Sequence, residues 1–237
     1  MYLAGPITRT MQDKEPLEVG INDVDVNYSF RSSLGAMEND CYKQEIIGDI
    51  IYVDDVGDKI GDIGKVSASK LLMDTGFEGG WDTFSICDVK QLSMDIGKIV
   101  YDFKKNDWNE SLEKHFDIIF PINLLIFESI EIKTEFDYLD VDKYIVKDVY
   151  NNFIQGAGLY VLNCWGLVKG NLVNGSDHQW KLNRSYSKLV KNKKSPLNKI
   201  ISYYEKAGFQ LIPELSSEFM FLCPDRGNKR FKKIEFG

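Results

Sequence analysis

Histidine is nearly missing from this chain: His115 and His178 are the only two in 237 residues. That shortage excludes a metal site built from imidazoles. Cysteine is sparse and scattered, since Cys41, Cys87, Cys164 and Cys223 form no CxxC pair. The chain therefore carries the spacing of neither a zinc ribbon nor a redox motif, and no metal is expected. A hydrolase is disfavoured for the same kind of reason, because neither a GxSxG elbow nor a Cys/His pattern occurs. No stretch approaches the ~20 consecutive apolar residues a membrane-spanning helix needs. The first 20 residues lack the basic start and apolar run of a signal peptide. These absences lead to the expectation of a soluble, cytoplasmic protein with reduced thiols and no membrane partner.

What is present suits a folded protein. Hydrophobic residues make up 43% of the chain, charged residues 27% and aromatic residues 13%. That balance can bury a core without disulfide or metal staples. The net charge of −7 is unevenly placed. Residues 181–237 carry 13 basic and five acidic side chains, net +8, and the preceding 180 carry 16 and 31, net −15. An acidic body repels phosphate, so nucleic acid is not an expected partner. The basic segment could meet an anionic ligand or simply be a solvated lysine face.

Periodicity orders the chain. Residues 1–20 show no sustained pattern and read as an arm. Residues 23–30 alternate, as a half-buried strand does, and residues 44–53 form a second strand candidate. Residues 54–58 have turn chemistry, and 59–72 return as a third strand bent at Gly61 and Gly64. Gly57, Gly61 and Gly64 suit a hairpin and bulges better than a nucleotide loop. Residues 88–103 change to three- and four-residue spacing, predicting a helix with Asp88 as N-cap. Its Gly97 costs up to ~1 kcal/mol relative to alanine.

Residues 124–132 read as a central strand covered on both faces. A helix over 140–153 follows, then a strand over 158–167. Residues 169–194 are a long polar connection. Ser195 and Pro196 start the last helix, whose buried stripe is Leu197, Ile200, Ile201 and Tyr204, and Gly208 stops it. Residues 224–237 are a basic tail. With no internal repeat, the order predicts a single α/β (α+β) domain over 21–223. Its mixed, mostly antiparallel central sheet carries helices on both faces.

Three stretches carry a family resemblance. Residues 202–209, SYYEKAGF, resemble the YYxxxGF ending of the GNAT superfamily of N-acetyltransferases. Residues 124–136, LLIFESIEIKTEF, resemble its central strand, and 158–167 resemble the next strand, which splays away to admit the pantetheine arm. Residues 83–90, TFSICDVK, resemble a stretch from a bacterial branch of the family. The resemblance spans roughly 23–223. It implies transfer of an acetyl group from acetyl-CoA to an amine of a small molecule or protein. Such a reaction needs a base for the amine, a donor for the oxyanion and an acid for the leaving thiolate.

By position, Tyr204 is the acid candidate and Tyr203 the runner-up, while Glu128 and Glu131 are base candidates. Lying three apart, the two glutamates are expected on opposite faces of a regular strand. Ile130, Glu131, Ile132, Lys143 and Tyr203 are the implied cofactor contacts. Tyr204 also suits a plainer role, packing on the sheet with its hydroxyl bonded.

The sequence departs from the family at residues 137–143, DYLDVDK. An Arg/Gln-x-x-Gly-x-Gly/Ala loop should bind pyrophosphate there, and instead there is no glycine and there are three carboxylates. Asp140 reads as a helix N-cap. The alternative function is a catalytically inactive protein of the same fold, acting as a protein-binding or regulatory module. Oligomeric state and acceptor are not legible.

Overall fold

A computed structural model describes residues 20–31, 39–116, 119, 121–167 and 196–224. The arm before residue 20, the whole 169–194 connection, Ser195 and the tail beyond 224 lie outside the described residues. Among the described residues, seven strands form one sheet in the order β1-β2-β3-β6-β7-β9-β8, and β4 (Tyr101–Asp102) and β5 (Asp107–Trp108) form a separate two-stranded ribbon. The sheet is antiparallel except at the β6–β7 pair. The mostly antiparallel α+β architecture expected from the order of periodicities is therefore present.

β1 (Val24–Arg31), β2 (Lys43–Val53) and β3 (Lys59–Leu71) make a meander. The turn between β2 and β3 is closed by Asp54, whose carboxylate accepts the amides of Val56 and Asp58. Gly57 takes a left-handed φ of 86° there, which is why glycine stands at that position. β6 (Leu124–Ile132) pairs with β3 on one side and, in parallel, with β7 (Leu159–Asn163) on the other. The parallel pair is joined through α5 (Asp142–Phe153), as a crossover requires. The chain closes with α6 (Pro196–Ala207), β8 (Gln210–Leu211) and β9 (Phe219–Leu222).

Alternation along β6 and β7 sorts the core in two. Leu125, Phe127, Tyr160 and Leu162 pack under α5 and α6 with Ile145, Val149, Leu197 and Tyr204. Leu124, Ile126, Leu159 and Val161 face the opposite way. That second face is covered by α1 (Met73–Glu78), α2 (Thr83–Cys87), α3 (Gln91–Val100) and α4 (Glu110–Phe116). Buried on both sides, the two strands read as continuous apolar runs.

Several local expectations change. The helix expected over 88–103 is shorter, α3 at 91–100, with 101–102 in a strand, and a separate short helix, α2, precedes Asp88. Asp82 is the capping residue of α2, accepting the Ser85 amide at 2.8 Å. Asp88 instead ends α2, and its amide bonds back to the Phe84 carbonyl. Gly97 is explained by packing, because a Cβ there would strike the Cys87 side chain of the neighbouring helix. The strand expected over 158–167 stops at Asn163 and becomes a 3-10 turn, Cys164–Leu167. Residues Thr134–Leu139 are also 3-10, and Asp140 is not the N-cap of α5, a position Val141 holds, but the left-handed C-cap, φ 52°, that ends the 3-10 helix.

Candidate functional site

β6 is where the chemistry-bearing residues gather, and a bulge organises them. Ser67 of β3 pairs with Ser129 and Ala68 with Phe127, which leaves Glu128 as an extra residue with no partner on β3. The insertion resets the alternation. Ser67 faces Ser129 and Lys65 faces Glu131, and residues opposite one another in register share a face. The Ser67 hydroxyl donates to the Glu128 carboxylate at 3.1 Å, so Glu128 and Glu131 lie on the same face. The expectation of opposite faces fails because the strand is not regular between them.

Their surroundings nevertheless differ. Glu131 is exposed. Glu128 is 6% exposed, a burial that an isolated carboxylate does not tolerate. Its oxygens are occupied: Ser69 Oγ donates at 2.8 Å, and Lys90 Nζ lies 2.5 Å away. Lys90 comes from the joint between α2 and α3, so this ion pair fastens the helical layer to the sheet. Ser67, Ser69 and Lys90 were not picked out from the sequence. The Ser-x-Ser alternation in a strand, placed beside a glutamate in an apolar run, is the signal that could have found the hydroxyls.

β6 and β7 stay paired from Leu124/Leu159 to Phe127/Leu162 and then part. This is the place where the expected pantetheine slot would open. Here the chain fills it. Asn163 Nδ2 donates to the Glu128 carbonyl at 3.0 Å, while Asn163 Oδ1 accepts the Trp165 amide at 3.2 Å. Gly166 then sits so close to the backbone of Glu128 and Ser129 that a Cβ would overlap the Glu128 carbonyl. A central strand that loses its neighbour must satisfy its backbone otherwise, and Asn163 does so. The side chains of Cys164, Trp165 and Leu167 are buried behind the turn.

Tyr204 does not face an opening. It is 2% exposed, edge-on to Phe209 at 5.6 Å and to Tyr203 at 5.0 Å, in the core beneath α5 and α6. Its hydroxyl is buried without a hydrogen-bond partner among the described residues. Burial, reinforced by the Asp142 carboxylate, raises its pKa well above the ordinary phenol range. Glu128 points to the other face of the sheet, so the acid and base candidates are not brought together. Tyr203 is half-exposed, with its pKa pushed up to about 12 by burial and by Asp142 and Asp140. Ile130 and Ile132 point into the α5 side of the core.

The start of α5 is the expected phosphate site. Val141 precedes it without a side-chain cap, and Asp142 stands in the first turn. Lys143 reaches back to Asp140 at 3.2 Å and lies over the Tyr144 ring at 5.4 Å. On the positions the resemblance implies, the Asp142 carboxylate stands where a diphosphate would dock and Gly166 where pantetheine would pass.

A real concavity lies elsewhere, between β1 and α5, with a volume of about 570 Å³. Its floor includes Val24, Val26, Val141 and Ile145, with Asp25, Lys147 and Asp148 among its polar lining. Tyr28 donates its hydroxyl to Asp148 Oδ2 at 2.6 Å across it and meets Phe153 edge-on at 4.9 Å. Burial and Asp148 together drive the Tyr28 pKa far upward. No helix among the described residues is long and apolar enough to cross a membrane, and no cluster of metal-ligating side chains occurs among them. Comparison of the chain with protein-family models, with curated protein sequences and with solved structures finds no match.

Proposed function

We propose that this chain is a GNAT-like α+β module that binds a protein partner and does not use acetyl-CoA. The observation that carries this reading is the filled wedge beyond Phe127 and Leu162, where Asn163 and Gly166 occupy the space between β6 and β7. Two features support the GNAT-like part of the reading: the lone parallel pair in an otherwise antiparallel sheet, and the helix-stop-strand joint at Tyr204 to Phe209. The acidic start of α5 speaks against a bound diphosphate, since each carboxylate in contact opposes it by ~1 kcal/mol in water and more when partly desolvated. Tyr204, buried and turned away from Glu128, has no place as a proton donor to a leaving thiolate.

The test is thermal. A ligand that binds only the folded state must raise the melting temperature. Millimolar acetyl-CoA is expected to leave the melting temperature of the full chain unchanged; a saturable rise would overturn the reading. An acetyltransferase remains the second reading, favoured by one observation: the bulge that sets Glu128 out of register on the strand where the family's base and oxyanion donor would lie. Acetyl transfer to an amine above the uncatalysed rate is the result that would select it.

A further inference from the structure

We draw no further inference here: the strongest candidate, the apolar-floored groove between β1 and α5, carries none, because its polar lining mixes Asp25 and Lys147 with an Asp148 already bonded to Tyr28 and Asn152, and nothing in the structure shows what covers it.

Discussion

The wedge between β6 and β7 and the groove between β1 and α5 are both places where neighbouring elements part. The wedge is closed by Asn163 and Gly166, and the groove is left open at about 570 Å³. The contrast follows from position in the sheet. At the centre, a carbonyl such as that of Glu128 has no water to bond, and leaving it bare costs about 1–3 kcal/mol. The chain supplies an amide side chain for it. At a sheet edge water can serve a strand's backbone, so no side chain needs to fold over it. A gap in the middle of a sheet must be lined for a ligand or filled by the protein, whereas a gap at its edge can stay empty.

Alkali should break both regions at once, and it has the largest expected effect. Burial raises the pKa of Tyr204 near the wedge, while burial and Asp148 raise that of Tyr28 at the groove. The Cys87 thiol is pushed from its usual 9.0 to about 12 by burial and by Asp88. These folded-state values lie above the unfolded ones, so the folded state holds protons that the unfolded state releases. Stability from them is complete below about pH 9 and is lost as pH climbs toward 12. Cys87 alone stands for about 4 kcal/mol across that window, at about 1.4 kcal/mol per pKa unit. Urea unfolding midpoints should be flat from pH 7 to 8.5 and fall steeply above; a flat profile to pH 11 would show that these groups are not buried.

Gly166→Ala probes the wedge alone. Its Cβ meets backbone, which cannot swing aside, so a loss of about 3 kcal/mol is expected from overpacking. Unchanged stability in urea would mean that the 164–167 turn does not sit on β6, and the closed wedge would go with it.

The smallest effects come from two tyrosines compared side by side. Tyr28→Phe removes a hydrogen bond to a carboxylate and should cost about 1–2 kcal/mol. Tyr204→Phe removes a buried hydroxyl that bonds nothing among the described residues, and should stay within about 0.5 kcal/mol of the parent or gain slightly. If Tyr204→Phe is the costlier of the two in chemical denaturation, the contrast between wedge and groove is drawn the wrong way round.

Much of the scaffold was readable in advance. The alternation at residues 23–30 marked β1, the turn chemistry at 54–58 marked the β2–β3 hairpin, and the apolar run at 124–132 marked β6 with its observed bounds. The stripe from Leu197 to Tyr204 and the stop at Gly208 marked α6. Long periodic segments report burial directly, so they can be read without a fold. The helical layer was legible only in part, because α1, α2 and α4 have five to seven residues, too few to show a period.

The site was less legible still. Glu128 was singled out, but its partners Ser67, Ser69 and Lys90 lie 61, 59 and 38 positions away. The bulge that aims it is invisible in composition, and so is the turn by which residues 164–167 leave a strand-like sequence to plug the wedge.

The amino-acid sequence by itself determined which stretches are apolar on one face, which on both, and where the chain must turn. Those are properties of neighbouring residues and of backbone sterics. It also set the acidic character of the body and the carboxylates ahead of α5. The tertiary structure decided that Glu128 lies in an ion pair, that Tyr204 ends in the core, and that β6 and β7 part around Asn163 and Gly166. It decided too that β1 ends the sheet among the described residues. Each of these depends on which distant segments become neighbours in the sheet, and that order is settled by the packing of the whole chain.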